Sequence, residues 1–239
     1  VVGVSDFCDW PPEAARLPSV GSYVNPSLEA VVSLRPGLVV AAFGTRRSSL
    51  ARLEALGIDV QRLDPRTVGE TITSLADVAR RCGAPEAGEP LAARLAMRLV
   101  RVRQAVAGAR RPKVFLQLGP GELFTAGRGS LQDDLIREAG GVNVAGRVPG
   151  PYPRLSLEQV LALAPEVILI VTDDAAAFER ERRGWLARPL PAARTGAVFA
   201  LPMDPVQRPG PRLIDGLEMT AALLHPECFQ PERLTGMSL

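Results

Sequence analysis

Leu91, Leu95, Leu99, Val102 and Val106 fall four, four, three and four residues apart, while Arg94, Arg98, Arg101 and Arg103 mostly take the other sides. That spacing lays one apolar stripe along a helix. Nothing breaks the pattern between Glu86 and Gly108, and Glu86 and Glu89 at one end with Arg110 and Arg111 at the other suit the helix macrodipole. Roughly 22 residues at 1.5 Å each make a rod of about 33 Å, long enough to act as a strut between two lobes rather than as an ordinary surface helix.

Elsewhere, short apolar runs alternate with helical periods. Strands are expected at 1–4, 38–42, 58–63, 113–118, 167–171 and 197–201, with 38–42 buried. Helices are expected at 27–34, 46–56, 68–81, 130–138, 173–183 and 212–224, with a further one capped by Ser156. Thr67 reads as an N-cap, and Ser156 with Gln159 as a capping box; Pro36, Gly57, Gly83 and Gly140 act as stops. Pro11 and Pro12 each lack an amide donor, so residues 5–12 form a loop and Trp10 lies on it. Residues 203–211 read as a proline-rich loop holding Asp204 and Arg208. The β-α alternation implies mostly parallel sheets covered by helices.

The pattern repeats. Gly21, Tyr23, Ser27, Leu28, Glu29, Val31, Leu34 and Pro36 recur as Gly150, Tyr152, Ser156, Leu157, Glu158, Val160, Leu163 and Pro165, all at one offset of 129. Both segments run from loop to short helix to proline to apolar strand, and they contain the two tyrosines of the chain. The expected fold is α/β: two Rossmann-like lobes with parallel sheets joined by one long helix, with a ligand cleft between them. The boundaries fall at 1–85 for the first lobe, 86–111 for the linking helix and 112–239 for the second lobe.

Size agrees, since 239 residues suffice for two small domains. A net charge of +2 with 23% charged residues and scattered arginines gives no basic stripe, which argues against nucleic acid as a partner. No apolar run reaches the roughly 18 residues of a membrane span, and no leader pattern opens the chain at Val1. Cys8, Cys82 and Cys228 have no C-x-x-C spacing, so at most one bridge can form and no zinc site is indicated. The single histidine, His225, precedes Pro226 and reads as a helix-end packing residue, which leaves neither a histidine triad nor a multi-histidine metal site. Gly119 and Gly121 follow a strand but lack the Lys-Ser/Thr ending of a phosphate loop. They read as a loop at a strand's carboxyl end, where open α/β sheets place ligands.

Only 5% of the residues are aromatic, and many of these fall on loops: Phe7, Trp10, Tyr23, Phe43, Phe124 and Tyr152, with Asp204 and Arg208 on a further loop. Each taken alone is as readily a side chain tucked into its own lobe. Together, and with Tyr23 and Tyr152 equivalent by the repeat, they point to a large, partly apolar ligand held between two lobes. Trp185 is expected to pack its helix onto the second lobe.

Several segments carry a family resemblance. FCDWPPEA at 7–14, NPSLEAVVSLRPGLVVA at 25–41, VFLQLG at 114–119, FTAGRGSLQDDLIREAGGVN at 124–143, YPRLSLEQVLALAP at 152–165 and RPGPRLIDGLE at 208–218 resemble the helical-backbone class of ABC-transporter substrate-binding proteins. Within that class they are most similar to the vitamin B12 binders, while siderophore and haem binders share the S-L-E frame. The resemblance implies a corrin in the cleft, with Trp10, Tyr23 and Phe43 as aromatic contacts from the first lobe, Tyr152 as one from the second, and Asp204 as a polar contact. It implies that Glu29 and Glu158 anchor a membrane permease dimer, although a carboxylate in a first helical turn also has a purely local role. The family's disulfide is not matched, since Ala139 stands at one of its positions. The family also carries a strand and helix ahead of the segment matching Val1, so a first lobe without that unit is expected.

The function expected is capture of cobalamin or a related corrinoid and its delivery to a permease, without chemistry, in the periplasm or another extracytoplasmic space, free or membrane-tethered. Haem or a ferric siderophore is the alternative; haem would use Tyr23 or Tyr152 as an axial ligand and Arg154 and Arg208 for its propionates. An enzyme on this architecture is weaker, because the loops offer Asp204 and Glu122 but no histidine and no paired serine and base. Cys8 is either a buried thiol or a soft ligand for a metal in a bound tetrapyrrole.

Overall fold

The computed structural model describes residues 1–229 and divides into two compact units, Val1–Asp64 and Pro65–Leu239. In the first, a 3-10 turn at Pro12–Arg16 precedes α1 (Leu28–Ser33), β1 (Val39–Ala41), α2 (Arg47–Ala55) and β2 (Val60–Arg62). The strands β1 and β2 pair in parallel with Val39 opposite Val60. Ser27 starts α1 by accepting the Ala30 amide at 3.2 Å, and Leu50 and Leu53 form the buried face of α2. Two sequence expectations change here. Residues 1–4 form no ladder, only a parallel bridge between Val4 and Ser19, because the adjacent Pro18 has no amide to extend it. The strand within 38–42 is not wholly buried, since Val40 is 44% exposed.

The second unit holds α3 (Val68–Arg81), α4 (Pro85–Val106), β3 (Lys113–Gln117), α5 (Leu131–Glu138), β4 (Val142–Asn143), α6 (Leu157–Leu163), β5 (Val167–Val171), α7 (Ala175–Leu186), α8 (Pro191–Thr195), β6 (Val198–Leu201), α9 (Met203–Gln207) and α10 (Leu213–Leu224). Its sheet runs β4-β3-β5-β6, all parallel, with Val114 opposite Val167 and Ile168 opposite Val198. All five residues of β5 are buried, as expected for a central parallel strand covered on both faces. Side chains alternate across the sheet. Val114, Leu116 and Leu169 join one core with Leu95, Leu99, Val102 and Leu217, while Phe115, Ile168 and Ile170 join another with Val160, Trp185 and Leu190.

The long helix is present as α4, with 22 residues, and its stripe of Leu95, Leu99, Val102 and Val106 is buried. Residues 65–85, read with the first lobe from the sequence, group with the second unit instead. Val68 and Ile72 of α3 enter the same core as α4, and a Cβ on Gly88 would overlap Ala79, so the two helices approach at a contact that only glycine allows. Arg98 of α4 is held by Asp215 at 2.6 Å and Glu218 at 2.7 Å on α10. The proline-rich stretch expected as a loop forms α9, which Pro205 tolerates because first-turn amides have no helical acceptor in any case.

Candidate functional site

In the first unit, hydrogen bonds stitch the aromatic loops together. Asp6 donates its amide to the Gly21 carbonyl at 3.0 Å, the Ser19 hydroxyl donates to the Asp6 carboxylate, and Arg46 donates its amide to the Val24 carbonyl at 3.0 Å. Gly21 turns the chain through a left-handed φ of 86° just ahead of Tyr23. The Phe7 and Tyr23 rings meet edge to face at 6.2 Å and 75°. Gly44, at φ 97°, lies beside the edge of the Tyr23 ring, where a Cβ would stand 3.3 Å from Cε2. Phe7, Trp10, Tyr23 and Phe43 nevertheless remain exposed, which gives this small unit an apolar surface it does not bury itself. Cys8 is a half-buried free thiol, its sulfur 3.3 Å from the Ser5 hydroxyl.

In the second unit, two buried glutamines organise the loops. Gln117 accepts the Trp185 indole N–H at 2.8 Å and donates to the Gly119 carbonyl at 3.0 Å and to Glu181 at 3.1 Å. Glu181 accepts the Gly121 amide at 2.8 Å, so the loop leaving β3 is tied down at both glycines. Residues 123–127 then pair with 151–155: Thr125 donates to the Pro153 carbonyl at 3.0 Å, Gly127 to that of Pro151 at 2.9 Å, and Leu155 to that of Leu123 at 3.0 Å. A Cβ on Gly127 would overlap the Gly150 carbonyl.

This pairing brings Phe124 and Tyr152 onto neighbouring loops, both exposed, with the Arg154 guanidinium 6.0 Å over the Phe124 ring and 3.6 Å from Glu122. Gln132, only 3% exposed, accepts from the Tyr152 hydroxyl at 3.4 Å and donates to the Val206 carbonyl of α9 at 3.0 Å. One amide group therefore links the Tyr152 loop to the helix that carries Asp204. The Asp204 carboxylate takes Arg208 on one oxygen at 2.8 Å and Arg212 on the other at 2.6 Å.

In the second unit these contacts link the sequence-predicted Phe124, Tyr152, Asp204 and Arg208; in the first, Tyr23 packs on Phe7 and beside Gly44, the residue after Phe43, while Trp10 and Phe43 lie exposed on their loops. The sequence reading missed Gln117, Gln132 and Arg212. An isolated glutamine carries no periodic signal, although Gln132 stands two positions after the Ser130 cap within the S-L-Q segment. Glu29 and Glu158 are exposed in the first turns of α1 and α6, the helices that follow the Tyr23 and Tyr152 loops. The Ser156 hydroxyl, with the Glu158 amide, holds the Glu158 carboxyl below its usual range. His225 is 1% exposed at the end of α10, and Trp185 is 3% exposed against Phe115. Among the described residues, no group of three or more His, Cys, Asp or Glu is arranged to hold a metal ion.

Residues 1–205 match the family model described as periplasmic binding protein. The chain belongs to that family. This binding protein is 33% identical to a vitamin B12-binding protein of Salmonella typhi over 219 residues, 89% of this chain and 78% of the relative. Its fold matches the crystal structure of the periplasmic vitamin B12-binding protein BtuF of Vibrio cholerae with a TM-score of 0.87, at 30% identity, over 96% of this chain and 89% of that one. It also matches the periplasmic haem-binding protein BhuT in complex with two haems, with a TM-score of 0.83, at 30% identity, over 96% of this chain and 90% of that one. The two-lobed α/β fold with parallel sheets expected from the sequence is the fold of these neighbours.

Proposed function

We propose that this chain is the solute-binding component of an ABC importer, taking cobalamin or a related corrinoid and delivering it to a membrane permease dimer from the periplasm. The observation that carries this reading is the repeated tyrosine loop. Tyr23 and Tyr152 occupy equivalent positions of the repeat, each on a loop turned by a left-handed glycine, and are 41% and 39% exposed. A corrin has two broad, largely apolar faces and a rim of amides. Aromatic side chains from both units (Trp10, Tyr23 and Phe43; Phe124 and Tyr152) suit the faces, and Asp204 and Arg208 suit the rim. Binding of this kind needs no catalytic group.

Haem is the second reading, favoured by the likeness to BhuT. It would require a phenolic oxygen on the iron and arginines for two propionates. Arg154 and Arg208 already face Glu122 and Asp204, which weighs toward the corrinoid. Permease docking is assigned to Glu29 and Glu158, which project from equivalent helix starts.

Calorimetric titration of the parent, Tyr23→Ala and Tyr152→Ala with cyanocobalamin tests the site. Each truncation removes aromatic contact worth roughly 1 to 3 kcal/mol, about 5 to 150-fold in Kd. Parental affinity in both variants would return these rings to the role of local packing.

A further inference from the structure

Asp204, in the first turn of α9, does something unusual for a charged residue proposed to meet a ligand. It spends both carboxylate oxygens on arginines of its own unit, Arg208 four residues on and Arg212 at the start of α10. All three side chains are only partly exposed, between 27% and 43%. The close seat of Pro205 on Gly216, where a Cβ would overlap the Pro205 carbonyl, fixes α9 against α10 and so fixes this triad. Gln132 ties the same helix to Tyr152. The nearby loop repeats the arrangement, with Arg154 facing Glu122. Every arginine named at this wall is therefore presented together with an acid.

Such a pair offers donors and acceptors side by side. A primary amide fits it, since the amide carbonyl can accept a guanidinium N–H while its NH2 donates to a carboxylate lone pair. A ligand carboxylate has no proton to give, and meets the Asp204 charge as it approaches the same arginines. The geometry points to Asp204 as the specificity-determining residue of the second unit: it masks Arg208 and Arg212 so that the wall accepts macrocycles with an amide rim and rejects those with a carboxylate rim. This deepens the corrinoid reading above and rests on it.

The test uses one macrocycle with two rims, dicyanocobinamide with its amides and dicyanocobyrinic acid with free carboxylates, and haemin as a third ligand. Affinities are measured for the parent and for Asp204→Asn, which keeps the shape and removes the charge. The parent should prefer cobinamide over cobyrinic acid by about tenfold or more, because like charges set side by side are costly. In Asp204→Asn that ratio should fall at least about fivefold, through tighter binding of cobyrinic acid, and haemin should gain affinity in parallel. A ratio unchanged in the variant, or both corrinoids weakened equally, overturns the mask. Equal affinity of the parent for the two corrinoids overturns it without any variant. A parent that binds haemin and neither corrinoid overturns the corrinoid reading itself, which distinguishes the two failures.

Discussion

Arg35 and Ala164 hold the same left-handed backbone, with φ of 47° and 48°, at equivalent places in the sequence repeat. Each follows a short helix opened by a serine cap, and each precedes a proline. Gly21 and Gly150, at φ 86° and 89°, extend the correspondence to the head of each tyrosine loop. A repeat that preserves backbone conformations rare for side-chain-bearing residues is a repeat of structure and not only of composition.

Glycine reaches this region without the cost of roughly 1 kcal/mol that an L side chain carries. Ala164→Gly should therefore leave stability unchanged or raise it by up to about 1 kcal/mol, whereas Ala162→Gly, inside α6, should lower it by about 1 kcal/mol. Urea unfolding of the two variants decides. Equal losses in both would mean that the left-handed turn carries no strain.

Gln132 makes a second prediction. Gln132→Ala leaves the Val206 carbonyl without its donor, at a cost of about 1 to 3 kcal/mol in stability. It also releases Tyr152 from α9, so corrinoid affinity should fall by about 3 to 10-fold, a shift of roughly 1 kcal/mol. Thermal unfolding and calorimetry on the same sample check both. A stability loss with parental affinity would confine Gln132 to the core.

Much of the fold is legible in the sequence because local signals and packing agree. Thr67, Ser130 and Ser156 each cap the helix that follows, and α3 spans the 68–81 expected. What is not legible depends on partners. Periodicity shows that Val68 and Ile72 share a face of α3, but not that this face enters one core with α4. Pro205 reads as a helix breaker until its first-turn position is known. β4 has two residues and α8 five, too few for any period to register. The aromatic loops of the proposed site could be picked out because an aromatic-poor chain places its rings there; the glutamines beneath them could not, since their role lies wholly in what they touch.

Asp134 and Glu166 predict opposite pH dependences. Asp134 is 5% exposed and accepts the Val68 amide at 2.8 Å at the start of α3. Burial raises its carboxyl above the usual value, outweighing the Val68 amide and Arg137. Its contribution to stability is full below the unfolded-state value and is lost as pH rises through the folded one. Glu166 is lowered, first by the Lys113 amide and, among the groups that pull with it, by Arg110; its contribution is present above the unfolded-state value and is lost as pH falls through the folded one. In unfolding scans from pH 3 to 7, Asp134→Asn should therefore gain on the parent as pH rises, and Glu166→Gln should lose ground. Asp134→Ala, with no acceptor for Val68, should cost about 1 to 3 kcal/mol at pH 7. Parallel pH curves for Asp134→Asn and the parent would contradict the assignment.

Reversal of Glu29 and Glu158 to arginine tests the docking assignment. Ligand affinity should hold, because neither helix start belongs to the aromatic loops. Co-elution with the permease in nanodiscs should weaken by about tenfold or more, because the resemblance implies arginines on the permease opposite these acids and like charges would then meet at the interface. Docking intact in the double variant would leave both acids with only their helix-dipole role.

The central claim is that one chain takes one corrinoid. Its most direct test is to incubate the protein with cyanocobalamin, haemin and a ferric siderophore, separately and in competition, then desalt and record the absorption spectrum. The account predicts a retained corrinoid band at a stoichiometry near one per chain, undiminished by either competitor. Retention of haemin or the siderophore with no corrinoid band would contradict it.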